Sequence, residues 1–170
     1  MSKWDKGISF EYAYSAILSS IRASTRRSEH TVCYDYILLV QLKNGARISE
    51  ATRAFIEYTK TRRTELTVNV SKTKNKTRLI IIPREILQFN IDICTNLTFT
   101  SEKTLINRIK KYSKYKYGFN THSLRYAFIT YLLRQGVNPA IISKITKHSR
   151  LDYILTYTQE KAAEEILRRL

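Results

Sequence analysis

The chain has 170 residues, 43% of them hydrophobic, which is enough for one globular domain with its own core. Glycine and proline are scarce, with 4 and 2 residues, so a long low-complexity linker or a disordered chain is excluded. Thirty Lys and Arg against 14 Asp and Glu give a formal net charge of +16, which favours a polyanionic partner. Ribosomal and other RNA-binding proteins carry the same balance, so charge alone does not distinguish between nucleic acids.

Membrane and export signals are absent from the sequence. No stretch approaches the roughly 18 consecutive apolar residues that span a bilayer, and the first residues lack the apolar core of a signal peptide. The basic residues are spread along the chain rather than gathered on one amphipathic helix, which disfavours a membrane surface. Cys33 and Cys94 stand alone, so both are predicted to be buried, reduced thiols rather than a disulfide or metal ligands. The sequence therefore predicts a cytoplasmic protein without membrane contact.

Hydrophobic periodicity predicts a mainly α domain with one small β-hairpin. Helices are expected over residues 10–23, 31–42, 47–58, 83–89, 101–112, 122–135, 138–147 and 159–170. The second of these helices carries apolar residues on several sides and is expected to be largely buried. Gly45 is the expected left-handed cap of that helix. Residues 112–118 are interpreted as a basic, aromatic connector.

The β-hairpin is predicted over residues 64–82. Residues 65–70 alternate apolar and polar side chains, and residues 78–82 are a β-branched run. The tip between them carries three lysines, which are Lys72, Lys74 and Lys76. Such a tip is ordinarily solvated, but a mobile tip could also place one ammonium in a groove, where it could act as a general acid.

Histidine and arginine recur together in the last third of the chain. His122 and Arg125 are three residues apart on a predicted helix, so both side chains project from one face. A guanidinium there can hold two phosphate oxygens, and the imidazole can hydrogen-bond or exchange a proton beside it. His148 is a second candidate, and Arg47 opens a predicted helix, where anions are favoured. Taken singly, each is more often a solvated arginine or a satisfied histidine.

A nucleophile is harder to select, because the chain has 12 tyrosines. A phenol with a pKa of about 10 needs strong electrostatic help to attack a phosphodiester. Tyr153 and Tyr157 are the two tyrosines nearest His148 in the sequence. Spacing alone does not choose between them.

Residues 122–149 strongly resemble the catalytic domain of the tyrosine recombinases, the phage-type integrases. That family shows an H-x-x-R motif, a Gly-His-Ser element and, about nine residues later, a nucleophilic tyrosine. Here the motif is His122-Ser-Leu-Arg125, and nine residues after His148 comes Tyr157 within Thr-Tyr-Thr. Tyr153 lies four residues too early.

The upstream half of the family pattern is also present. The segment from Gly45 through Arg47 to Glu50 resembles the first-arginine motif, and the hairpin resembles the lysine strand-turn, with Lys72 preferred and Lys74 in reserve. Three positions depart from the pattern: Lys147 stands where glycine is usual, Tyr126 where a second histidine is common, and Gln159 where the Y-T-H histidine would be. None of these changes removes a catalytic group of the family.

The resemblance implies a site-specific recombinase that acts on double-stranded DNA. Tyr157 would attack the scissile phosphate, giving a 3′-phosphotyrosyl link and a free 5′-hydroxyl, without metal, organic cofactor or ATP. The remaining roles would fall to Arg47 and Arg125 in stabilising charge on phosphorus, to His122 and His148 in hydrogen bonding and proton movement, and to Lys72 in protonating the leaving oxygen. A homo-oligomer, a tetramer, is expected on DNA, and a monomer in isolation.

The whole chain, residues 1–170, is interpreted as a single catalytic domain, and the family's N-terminal core-binding domain is expected to be absent. Within it, residues 1–44 form a helical lead-in, 122–157 the active-site segment and 159–170 a C-terminal helix. Alternatives are a type IB topoisomerase, a catalytically silent DNA-binding module and an RNA-binding protein. Frequent lysine, isoleucine and tyrosine favour an A·T-rich genome, that of a virus or plasmid.

Overall fold

A computed structural model describes residues 7–24, 29–70, 76–148, 152, 155, 163–164 and 166–170. The fold is mainly α with one two-stranded antiparallel sheet, as predicted. The helices are α1 (Phe10–Arg22), α2 (Glu29–Asn44), α3 (Ile48–Thr61), α4 (Arg84–Leu87), α5 (Glu102–Tyr117), α6 (Thr121–Arg134) and α7 (Pro139–Thr146). The strands are β1 (Glu65–Asn69) and β2 (Thr77–Ile81), and a 3₁₀-helix spans Asp92–Phe99.

Helix α2 is the centre of the domain. Its residues 32–42 are all buried, because apolar side chains occur around the whole circumference. It packs against α1, α3, α6, β2, α5 and the 3₁₀-helix. The elements that carry the candidate site are therefore mounted on one buried helix.

The β-hairpin packs its inner face on α3 and α2. Glu65 pairs with Ile81 and Asn69 with Thr77, so burial alternates along both strands. Asn44 at the end of α2 fixes β2, because its side chain accepts from Ile81 N at 2.9 Å and donates to Ile81 O at 2.8 Å. The hairpin tip, which includes Lys72 and Lys74, lies outside the described residues.

Helix α5 is longer than predicted, and the interpretation of residues 112–118 as a connector is wrong. The helix continues to Tyr117 because a buried carboxylate holds its last turns: Asp35 of α2, 1% exposed, accepts from Tyr112 at 2.9 Å and Tyr117 at 2.6 Å. Lys116 Nζ lies 3.1 Å from the same carboxylate. Gly118, with φ of 74°, then ends the helix in the left-handed conformation.

A disulfide joins Cys33 of α2 to Cys94 of the 3₁₀-helix, and both residues are fully buried. The prediction of two reduced thiols is therefore wrong. The two cysteines are 61 residues apart in sequence, and they meet because the 3₁₀-helix, which periodicity did not predict, packs directly on α2. The loop that the bond closes contains α3 and the hairpin.

The described part of the predicted C-terminal helix, residues 163–164 and 166–169, is helical. Arg168 pairs with Glu164 at 3.1 Å, as the spacing of four residues predicts. The apolar side chains of Ile166, Leu167 and Leu170 are exposed. Within the described residues, no helix is both long and apolar enough to cross a bilayer.

Breaking the disulfide is expected to reduce the free energy of unfolding by about 4 kcal/mol. The bond closes a long loop and so lowers the conformational entropy of the unfolded chain, and breaking it restores that entropy. Urea unfolding with and without dithiothreitol measures the loss. The double variant Cys33→Ala/Cys94→Ala is the control, since its midpoint should be low and insensitive to the reductant. A wild-type midpoint that dithiothreitol leaves unchanged under unfolding conditions would contradict the stabilising role of the bond.

Candidate active site

The site is built around the turn between α2 and α3. Gly45 has φ of 55°, and a Cβ atom there would lie 2.2 Å from the ring of Phe128, so the position requires glycine for both reasons. This close approach brings the carbonyl of Gly45 within 2.9 Å of Arg125 Nη1 on α6. The prediction of Gly45 as a left-handed cap is confirmed. The carbonyl of Gly45 also holds Arg125, a candidate site residue.

Glu50 connects the arginines of the site. Its side chain is fully buried, and it accepts hydrogen bonds from the backbone N of Arg47 at 3.0 Å and from Arg47 Nη1 at 2.9 Å. Arg78 Nη1 lies 3.3 Å and Arg125 Nη1 4.0 Å from Glu50 Oε2. Burial opposes ionisation of this carboxyl, but the hydrogen bonds from Arg47 and the charge of Arg78 hold its pKa below the ordinary value.

Arg78 ties the hairpin to this site. It is 3% exposed, and its Nη2 donates to the carbonyl of Asn44 at 2.6 Å, while Nη1 reaches the carbonyl of Gly45 at 3.4 Å. The start of α3, the end of α2 and strand β2 are thereby joined through one guanidinium. The hairpin that carries the lysine-rich tip is consequently held against the turn that carries Arg47.

His148 completes the described cluster from the C-terminal side. Arg125 Nη2 lies 3.1 Å from His148 Nδ1, and Thr146 Oγ1 lies 2.9 Å from the same nitrogen. Burial and the neighbouring charges of Arg125 and Arg47 lower the pKa of His148 to about 3. The imidazole is therefore neutral near pH 7 and is available for hydrogen bonding as a neutral ring. Lys147, which replaces the glycine usual in the family, has φ of 55°, so the turn forms despite the substitution.

Positive charge exceeds negative charge in this cluster. Three guanidiniums surround the single carboxylate of Glu50 among the described residues, and the imidazole of His148 is neutral. Burial and the charge of Arg47 lower the pKa of Arg125 to about 9, which still leaves this guanidinium protonated at neutral pH. An anion bound among these groups would relieve their mutual repulsion. The arrangement therefore suits a phosphate group.

His122 is exposed, and its ring meets that of Tyr126 edge-on, with centroids 4.9 Å apart. It lines, together with Arg47, a cavity of about 770 Å³. The structure thus brings Arg47, Arg125 and His148 into one cluster and places His122 at its margin. Lys72 and Tyr157, like the alternative Tyr153, lie outside the described residues.

Two buried members of the cluster, Glu50 and Arg78, were not among the predicted site residues. Glu50 ends the segment from Gly45 to Glu50 and lies three residues after Arg47, which is the spacing of a capping box. Arg78 lies two residues before Ile80 on a strand, so period-two alternation places it on the inner face. A buried arginine requires an anionic partner. That requirement could have indicated from the sequence that Arg78 pairs with a buried carboxylate.

Comparison with known protein families matches most of the chain. The sequence profile described as the phage integrase family matches residues 14–164, which includes every candidate site residue. The chain belongs to the phage integrase family. Its members are tyrosine recombinases, so the resemblance stated from the motifs is confirmed.

Three relatives support the assignment. The chain is 41% identical over 169 residues, 98% of its length, to "Putative integrase ORF241" of Acidianus two-tailed virus, of which it covers 68%. It is 30% identical to an uncharacterized protein of Methanocaldococcus jannaschii, covering 98% of this integrase-family chain and 88% of that protein. It is 29% identical to "Putative integrase V10" of Sputnik virophage, covering 99% and 84%. No solved structure matches the chain at a significant level.

Replacing Glu50 by Ala is expected to reduce the free energy of unfolding by about 3–5 kcal/mol, because it leaves buried guanidiniums without their carboxylate. Urea unfolding followed by circular dichroism measures the change. Glu102→Ala is the matched control, since Glu102 pairs with Arg53 at 2.8 Å on the surface, where such pairs contribute less than about 1 kcal/mol. Equal losses in the two variants would show that Glu50 does not organise the cluster.

Proposed function

We propose that this integrase-family chain is a site-specific recombinase catalytic domain that cleaves and rejoins DNA through a 3′-phosphotyrosyl intermediate on Tyr157. The observation that carries the proposal is the convergence of Arg47 and Arg125 on buried Glu50, with neutral His148 in contact with Arg125. The integrase names of two relatives support the same function. The relevant compartment would be the cytoplasm or nucleoid of the host cell.

The arginines would bind the scissile phosphate. Arg47, with 20% of its side chain exposed, and Arg125 would donate to the non-bridging oxygens as negative charge builds up on the pentavalent phosphorus centre. Both guanidiniums are held in advance, by Glu50 and by the carbonyls of Gly45 and Thr146. Little reorganisation would then be needed when the transition state forms.

The histidines would handle hydrogen bonds and protons. Neutral His148, whose ring is fixed by Arg125, would hydrogen-bond the phosphate and assist proton movement from Tyr157. His122, exposed beside Arg47 at the cavity, would donate to another phosphate oxygen. The phosphotyrosyl bond conserves the energy of the broken bond, so rejoining would require no ATP.

Tyr157 would be the nucleophile, and Lys72 would be the general acid. Attack by the Tyr157 oxygen forms the tyrosyl–phosphorus bond and breaks the bond from phosphorus to the 5′ oxygen, which takes a proton from Lys72. Lys74 is the alternative acid. Four such chains would act together on paired DNA sites, so that each free 5′-hydroxyl can attack the partner duplex.

Covalent trapping tests the function. Wild type and Tyr153→Phe, incubated with a labelled pool of nicked duplexes of randomised sequence, are expected to form a protein–DNA adduct on a denaturing gel. Tyr157→Phe is expected to form none, because it lacks the attacking oxygen. An adduct that persists in Tyr157→Phe would exclude this nucleophile. No adduct in wild type would instead favour a DNA-binding module without catalysis.

Sulfur substitution tests the role of Lys72. Lys72→Ala is expected to slow adduct formation by about 10²–10⁴-fold on ordinary DNA, the usual contribution of a general acid. A substrate with sulfur in place of the 5′ bridging oxygen should restore the rate, because a thiolate leaves without protonation. Lys74→Ala is the matched variant and should show neither effect. The reverse pattern would assign the acid to Lys74.

A further inference from the structure

We propose that a basic cavity beside Arg47 and His122 binds the phosphates that flank the scissile phosphate on the cleaved strand. The cavity has a volume of about 770 Å³ and is called the lysine cavity here, because Lys110, Lys111 and Lys114 of α5 line it. This inference rests on the proposed function, since it names where the same DNA strand continues beyond the catalytic cluster. None of the three lysines is needed for the chemical step described above.

The lysines form a compact row. Lys110 and Lys114 are four residues apart, which is about 6 Å along the helix axis, and Lys111 lies between them in sequence. All three residues are exposed. Flexible ammonium groups at this spacing suit successive phosphates of a strand, which carries one charge per roughly 3.4 Å of duplex axis.

Two helix N-termini add to the positive potential. The cavity is lined by Arg47, Ile48 and Ser49 at the start of α3 and by Asn120, Thr121 and His122 at the start of α6. The N-terminal end of a helix favours anions through its dipole and its backbone N–H groups. No carboxylate occurs among the described residues that line the cavity. The lining therefore selects for an anion.

Helix α5 is held rigidly enough to present this row. Tyr112, Lys116 and Tyr117 anchor its last turns to the buried carboxylate of Asp35. Burial, followed by the charge of Asp35, raises the pKa of both phenols, so they remain protonated donors. The cavity lysines lie on the same turns but line the cavity. The contacts with Asp35 therefore position these turns without using the ammonium groups of the cavity lysines.

Arg47 joins the cavity to the catalytic cluster. Its guanidinium pairs with Glu50 in the cluster, and the residue also lines the cavity. A phosphate held by Arg47 and Arg125 would therefore have its neighbours on the same strand directed towards Lys110, Lys111 and Lys114. A cavity of this volume also accommodates a nucleotide, but continuity with the cluster favours an uninterrupted strand.

The test compares two triple variants in DNA binding. Lys110→Ala/Lys111→Ala/Lys114→Ala removes the cavity lysines, and Lys60→Ala/Arg63→Ala/Arg108→Ala removes three exposed charges that do not line the cavity. The slope of log affinity against log salt, measured on a random duplex, should become shallower by about 2–3 in the cavity variant, because each lost phosphate contact contributes about 0.9. The control slope should change by less than about 1.

The DNA recovered from the wild-type adduct identifies the cleavage point, and the phosphates beside that point can then be tested as contacts of the lysine cavity. Uncharged methylphosphonates beside the cleavage point should weaken wild-type binding at least 10-fold and leave the cavity variant nearly unaffected, since the two changes remove one interaction.

The two proposals fail in different ways. The lysine cavity is overturned if the salt slope changes equally in both triple variants, even when wild type forms its adduct. It is also overturned if the loss of DNA affinity caused by methylphosphonates adds fully to the loss caused by the cavity variant. A wild type that forms no adduct overturns cleavage, and with it the position of the cavity beside a scissile phosphate. A shallower slope confined to the cavity variant then still assigns DNA binding to these lysines.

Discussion

A single buried carboxylate, Glu50, is the interaction on which the site depends. It lies between three guanidiniums that come from different parts of the fold: the N-terminus of α3, strand β2 and helix α6. Each arginine alone would be repelled by the others and penalised by burial. With one negative charge among them, they remain together and ionised, and the cluster keeps an excess of positive charge that a phosphate can neutralise.

A second buried carboxylate, Asp35, has a comparable role for the surface that carries the lysine cavity. It accepts hydrogen bonds from Tyr112 and Tyr117 and lies beside Lys116, so it holds the last turns of α5 on the central helix. Glu50 positions the groups that would act on the scissile phosphate, and Asp35 positions the lysines that would hold its neighbours. In both places, an internal negative charge orients cations that, in the proposed function, would bind an external polyanion.

Local patterns in the sequence predicted much of the fold, because helix periodicity, strand alternation and the cap at Gly45 depend on near neighbours. The structure also brings together Arg47, Arg125 and His148, each of which stands in a short motif, and their catalytic roles stay predictions. The errors arose from long-range contacts: Asp35 extends α5 beyond Tyr112, and the 3₁₀-helix brings Cys94 to Cys33 across 61 residues. Arg78 was missed because its function depends on Glu50, 28 residues earlier in the chain.

The most direct test of cleavage through Tyr157 is to identify the residue that carries the DNA. The trapped adduct is digested with nuclease and trypsin, and the peptide covering residues 151–161, which contains both Tyr153 and Tyr157, is fragmented in a mass spectrometer. A 3′-nucleotidyl phosphate is expected on Tyr157. A nucleotide on Tyr153 or on any other residue, in an otherwise active protein, would contradict it.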